Sequence, residues 1–346
     1  MSTLPMDQSP RKWNERARLF GGQVMRGRET SIFAILVLLL VAVRLQAPRF
    51  WSSANIRSIF LAIALLLILA VGETVVILGR NFDLSIGSTV GLSAMTAGLL
   101  FKTHPGMPSV LAFAIAMAVG AVVGIVNGTL ITYLRVPSIV LTLGMLSVLS
   151  GITYIVANGS QVNPYNVPSG FVSLSITSAI GIPGIVIIAL VFAGLVGAGL
   201  RWTRTGRSLY ALGSNPEAAQ LRGLPAQRLV IATFVLSGAA AGLGGAVYLS
   251  QFGLVQVNAG AGLELQAITA AIVGGVSIFG GAGTILGTTI SCLLLGTMAN
   301  GIAVLGFSTF WQDTAYGTLL VLAVIANSVS HKVQASRALV RPELKL

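Results

Sequence analysis

The chain has 346 residues, of which 55% are hydrophobic and 9% charged, with a net charge of +12. An ordinary soluble domain carries about 25% charged residues, so a soluble enzyme, a disordered chain and a disulfide-built secreted scaffold are excluded. The composition is that of a polytopic membrane protein, because only a bilayer solvates so much apolar surface.

In chain order, residues 1–30 form a polar arm with Arg11, Lys12, Arg16, Arg18, Arg26 and Arg28. Signal peptides also begin this way. Here, however, the apolar run leads into Arg44-Leu45-Gln46-Ala47-Pro48 without a small-x-small cleavage site, and an uncleaved first span is expected. Ten apolar runs have bilayer-crossing length: 31–47, 58–79, 84–101, 109–132, 137–156, 182–200, 229–250, 265–279, 283–304 and 311–329. Only a few residues separate the second run from the third and the eighth from the ninth, so these pairs are tight hairpins or contain broken helices. Gly79, Gly87 and Gly91 at the first hairpin are matched by Gly275, Gly283 and Gly287 at the second, as in a repeated half.

The expected fold is all-α: a polytopic helical bundle of about ten transmembrane helices with broken or re-entrant segments. It comprises the basic arm, a transmembrane domain over 31–330 and a tail over 331–346. With the N-terminus inside, about 17 lysines and arginines fall on the cytoplasmic side and about 4 outside, the bias that sets membrane orientation. Both termini are then cytoplasmic. Topology accounts for the positive charge, and no nucleic-acid partner is expected. The single cysteine, Cys292, has no partner for a disulfide, and His104 and His331 lie near loops, so a zinc site or a Ser-His pair is not expected.

Segment 201–228 is the longest cytoplasmic loop between spans. Asn215 or Ser214 suits a helix N-cap, Pro216 the first helical position, Glu217 the first turn and Gly223 the end. The product is either a surface helix joining two spans or a docking helix for a cytoplasmic partner. Asp83 can cap the third helix and pair with Arg80. Glu73, two turns inside the second span, is either a water-reached carboxyl without a role or a contact to a polyol on its pathway. Asn127 and Asn300 are buried amides, expected to bond between helices or, less simply, to touch a sugar. Gly120, Gly124 and Gly128, with Gly238 and Gly242, lie at fourfold spacing and predict close helix packing. Glu264 opens the eighth span, on the external side by this topology.

The pattern Gly213, Asn215, Ala218, Ala219 and Gly223, in a loop that also holds Gly206 and Arg207, resembles the coupling loop of ABC importer permeases, in the form of the ribose/xylose-type sugar permeases. Two other stretches agree. Arg80-Asn81-Phe82-Asp83-Leu84-Ser85-Ile86-Gly87-Ser88 is similar to that family's Gly-Ile-Asp-Leu-Ser-x-Gly-Ser signature. The run from Glu264 to Gly287, with Gly274, Gly275, Gly280, Gly281 and Gly283, is similar to its late glycine-rich signature. Arg80-Asn81-Phe82 replaces the usual glycines and resembles the branch handling rhamnose or autoinducer-2.

The resemblance implies a bacterial inner-membrane importer subunit for a monosaccharide or small polyol. It implies a second permease, identical or sister, an ABC ATPase docked on 206–224, and a periplasmic sugar-binding protein. Glu264 or the external loop 157–181 would receive that binding protein. No Gly-x-x-x-x-Gly-Lys-Ser/Thr pattern is present, so this chain is expected to hold no cofactor and to be no enzyme; ATP and magnesium would belong to the ATPase. One alternative is an ion-coupled secondary transporter, whose carboxylate relay would rest on Glu73 and Asp83 alone. Another is an intramembrane protease, for which a Ser-His or paired-aspartate centre is not evident.

Overall fold

The computed structural model describes residues 30–176 and 181–339. The basic arm and the tail's Arg341 and Lys345 lie outside the described residues. Among the described residues the fold is all-α, and the one extended pairing is an isolated antiparallel bridge between Val162 and Val255.

Each predicted run falls on a helix. These are α1 (Thr30–Gln46), α2 (Ser53–Leu78), α3 (Ile86–Thr103), α4 (Ser109–Leu134) and α5 (Ser138–Ala157). After the short α6 (Ser169–Ile176) come α7 (Gly184–Trp202), α8 (Arg204–Ser214), α9 (Pro216–Leu221) and α10 (Ala226–Phe252). The last are α11 (Leu263–Val273), α12 (Ile285–Val304) and α13 (Phe310–Leu339). Six of them, α2, α4, α5, α7, α10 and α12, are long and apolar enough to cross a membrane. The predicted eighth span is shorter than expected. α11 has 11 residues, a rise of about 16 Å against a hydrocarbon core of about 30 Å, so it is a half-helix.

The sequence of α2 explains its place. It has no polar face, and every residue from Ile63 to Leu78 is buried, which puts it at the centre of the bundle. α10 packs on α2, α3 and α4. α4, α5 and α7 are equally apolar but turn Val122, Ile125, Val140, Leu143, Leu190 and Leu195 outward, a surface suited to lipid. The tightest crossing joins α4 to α10. A Cβ added at Gly120 would overlap the carbonyl oxygen of Gly238, and one at Gly238 would overlap that of Gly120, so the two backbones are in direct contact.

Two hairpins with irregular turns shape the rest. Between α2 and α3, Arg80 takes φ 65° and the chain folds back beside the last turns of α2. Between α11 and α12, Gly280 and Gly281 take φ 78° and 69°, a backbone region that side chains with a Cβ resist. The segment after α5 holds α6, whose Phe171 packs its ring against Phe101 and Phe113.

Candidate functional site

Segment 201–228 folds as two consecutive capped helices. The Thr203 side chain accepts from the Gly206 amide (3.0 Å) to start α8. The Asn215 side chain accepts from the Ala218 amide (3.0 Å) to start α9, with Pro216 at its first position and Glu217 in its first turn. Gly223, just beyond, takes φ 72°. The cap on α9 follows the predicted spacing. α8 was not foreseen: it interrupts the loop with an amphipathic turn that buries Leu209 and Leu212.

The C-terminal end of α8 lies between the two hairpin turns. From the first turn, Arg80 Nε donates to the Gly213 carbonyl (2.6 Å) and Nη2 to that of Ser214 (3.2 Å). From the second, the Gly281 amide donates to the Leu78 carbonyl (3.0 Å), and a Cβ on Gly213 would strike both groups. Tyr210 Oη donates to the Gly283 carbonyl (2.8 Å), and Ser214 Oγ lies 3.3 Å from the Gly281 carbonyl. Burial pushes the Tyr210 phenol up, so it keeps the donated proton. Arg80, Gly213, Gly280, Gly281 and Gly283 therefore converge on one junction, while Gly274 packs its carbonyl against Gly287 at the start of α12. The expected Arg80–Asp83 pair is absent. The left-handed backbone at Arg80 turns its side chain towards the free carbonyls ending α8, where a cation also complements the helix dipole.

Asp83 instead enters a buried polar network. Its Oδ1 accepts from the Ser85 amide (3.1 Å) and hydroxyl (2.6 Å), and its Oδ2 from Ser237 Oγ on α10 (3.0 Å). Ser85 Oγ in turn accepts from Asn127 Nδ2 on α4 (2.9 Å), and Glu73 Oε1 accepts the Asp83 amide (3.2 Å). Ser138 and Thr142 of α5 accept the amides of Phe82 and Leu84. One irregular turn is thus tied to α2, α3, α4, α5, α8 and α10. Ser237, Ser138 and Thr142 escaped sequence reading because a hydroxyl in an apolar helix gives no local sign of its partner.

Glu73, Asn127 and Asn300, each open to a structural or a pathway role, all bond to neighbouring elements. Glu73 and Asn127 are fully buried, and Asn300 exchanges two bonds with Asn55 (2.8 and 3.0 Å) across α12 and α2. Glu73 Oε2 and Asn127 Oδ1 have no partner among the described residues, and none of the three residues lines the cavity formed by α3, α5, α11 and the turns before α11. Glu264 does line it, together with Ser88. Glu264, expected to open the eighth span, lies against Gly87 in the first turn of α3.

The opposite face of α8–α9 is open to solvent. Ala219 is buried against Leu212 and Leu229, whereas Glu217, Ala218, Arg222 and above all Leu221, which is 90% exposed, point outward. Leu221 was not singled out in the sequence, although an apolar residue closing a short polar helix was the available signal.

Residues 55–324 match the protein family described as branched-chain amino acid transport system / permease component. The chain is 36% identical to the autoinducer 2 import system permease protein LsrC of Enterobacter sp. (strain 638), over 86% of each chain. It is 34% identical to the ribose import permease protein RbsC of Escherichia coli (strain K12), over 87% of this chain and 93% of the relative. LsrC of Salmonella typhi is 32% identical over 86% and 85%. No solved structure matches.

Proposed function

Given that the chain belongs to the permease-component family of ABC importers, we propose that it forms the membrane path of a bacterial importer for a monosaccharide or related polyol. The family is described by amino-acid transport, but the relatives at 32–36% identity are named for autoinducer 2 and ribose, which favours a polyol. In this reading ten elements enter the membrane, six of them helices long and apolar enough to cross it, and both termini lie in the cytoplasm, the side favoured by the bias of lysine and arginine.

In this reading an ABC ATPase docks on α8 and α9 and supplies ATP and magnesium, so this chain needs no cofactor of its own. A second permease copy or sister completes the path, and a periplasmic binding protein delivers the solute to the outer loop, where Tyr165 is 84% exposed. One observation carries the proposal. The junction of α8 with both hairpin turns joins an exposed helix to the buried network around Asp83, so that force on α9 reaches the bundle interior through Arg80 and Gly213. The arrangement is one element that each partner can bias. The ion-coupled alternative gains nothing, since Glu73 and Asp83 are enclosed together and line no part of the cavity.

Purification of the tagged chain from its native membrane in mild detergent tests this. An ABC ATPase should co-purify. Replacing Leu221 with Asp should reduce its recovery at least about tenfold, the loss expected when an apolar anchor is removed from the centre of an interface. A permease that emerges alone and moves solute on an ion gradient would refute the importer reading.

A further inference from the structure

The cavity beside α5 has a volume of about 290 Å³ and is lined by Ser88, Ser150, Thr153, Tyr154, Asn258 and Glu264 with four apolar residues. That size is near the lower end of small-molecule sites, which begin at roughly 300 Å³. Its α5 lining, from Leu146 to Tyr154, lies roughly 12–24 Å along a helix of about 30 Å, so the cavity sits in the middle and outer half of the bundle. Half-helix α11 starts at its wall, the kind of interrupted helix that frames solute sites at mid-membrane.

The hydrogen-bonding inventory points to a class of ligand. Ser150 Oγ donates to the Leu146 carbonyl (2.8 Å), Thr153 Oγ1 to that of Leu149 (2.8 Å) and Ser88 Oγ to that of Ser85 (2.9 Å). Each hydroxyl proton is committed within its own helix, and these groups offer the cavity only lone pairs. Glu264 Oε1 accepts the Gly262 amide (3.1 Å), while Oε2 is enclosed against Gly87 without a partner among the described residues. An unpaired buried oxygen is costly, and the terminal torsion of a glutamate is soft, so a small turn of the carboxyl presents Oε2 to a bound donor. Gly87 leaves the carboxyl its room: a Cβ there would overlap Oε2. The Asn258 amide and the Tyr154 hydroxyl supply donors. The lining contains no Lys, Arg or His to receive an anion.

We propose that this cavity is a contact site for an uncharged polyol in transit, with Glu264 accepting a solute hydroxyl and the α5 hydroxyls accepting others. The proposal rests on the importer reading above and narrows it. A site rich in acceptors and free of cations suits a molecule covered in hydroxyl donors and disfavours the carboxylate of an amino acid.

The test uses the whole complex of permease, ATPase and binding protein in proteoliposomes, with labelled D-ribose, L-rhamnose, autoinducer 2 and leucine. Wild type should take up at least one of the three polyols and not leucine, and Glu264→Gln should lower that uptake at least about tenfold. Gln keeps an oxygen for the Gly262 amide but turns the free acceptor into a donor. If Glu264 only caps its turn, the Gln variant transports like wild type, and this site assignment falls while the importer reading stands. Uptake of leucine alone, or of none of the polyols, overturns the proposed solute class and the site with it. A readout independent of uptake uses Ser150→Cys in a Cys292→Ser background. A charged thiol reagent should modify it, and the transported polyol should slow the reaction; a position that does not react, or is not protected, refutes the site.

Discussion

Replacing Gly238 with leucine is expected to abolish recovery of a folded protein, whereas Gly194→Leu should leave the yield and the size-exclusion profile in detergent unchanged. Both glycines lie in apolar helices, and the substitutions are equally hydrophobic. They differ in what a side chain meets. At Gly194 on α7 nothing lies within 4 Å, and the position is exposed on the outer surface. At Gly238 the first added atom meets the carbonyl of Gly120 and then the backbone nitrogen of Gly124. Extra methylenes forced into a packed core cost about 1–3 kcal/mol when side chains can yield. Here the obstacle is backbone, and neither helix can move alone: α10 is held by α2 and α3 on its other sides, and α4 is tied to α3 through Asn127. The cost therefore lies beyond that range. A Gly238→Leu protein that eluted as a sharp peak at wild-type yield would show that α4 and α10 are not locked in this way.

The same contrast explains what could be read from the sequence. The helices were legible because bilayer crossing demands long apolar runs, and each run found its helix. The glycine faces of α4 and α10 were legible because fourfold spacing marks one side of a helix. The α9 cap was legible because Asn215-Pro216-Glu217 satisfies the first turn from within a few residues. α11 was misread as a span because apolar character continues through Val276 and Ile278, beyond the point where Gly274 and Gly275 end the helix. The partners of Arg80, Asp83 and Glu264 were not legible. A charge in an apolar chain announces that it needs a partner, but the nearest candidate in sequence need not be the nearest in space. Arg80 bypassed Asp83, three residues away, for carbonyls 133 and 134 residues on, and Asp83 was satisfied by a serine 154 residues away.

Arg80→Ala is expected to reduce solute uptake at least about tenfold while the ATPase still co-purifies, because the change breaks transmission and leaves docking intact. Arg80 bonds to Gly213 and Ser214 of α8, whereas Glu217 and Leu221 lie exposed on α9, so the substitution leaves the residues of the partner's surface in place. The guanidinium makes two bonds to the last carbonyls of α8, and charge-assisted bonds of this kind contribute about 1.5–3 kcal/mol each. Losing both leaves α8 held to the end of α2 only by the packing of Gly213 against Leu78 and of Leu209 against Gly79, and to the second hairpin by Tyr210 and Ser214. Movement of α9 would then reach the Asp83 network only through this packing. Arg80→Lys should restore uptake only in part, since one ammonium cannot reproduce the fork that spans Gly213 and Ser214. ATP hydrolysis in the reconstituted Arg80→Ala complex should continue without proportionate uptake, and the ratio of solute moved to ATP consumed is the quantity to measure. An unchanged ratio would mean that force from α9 enters the bundle through the glycine turn alone, and Arg80 would then be a structural tie of the hairpin.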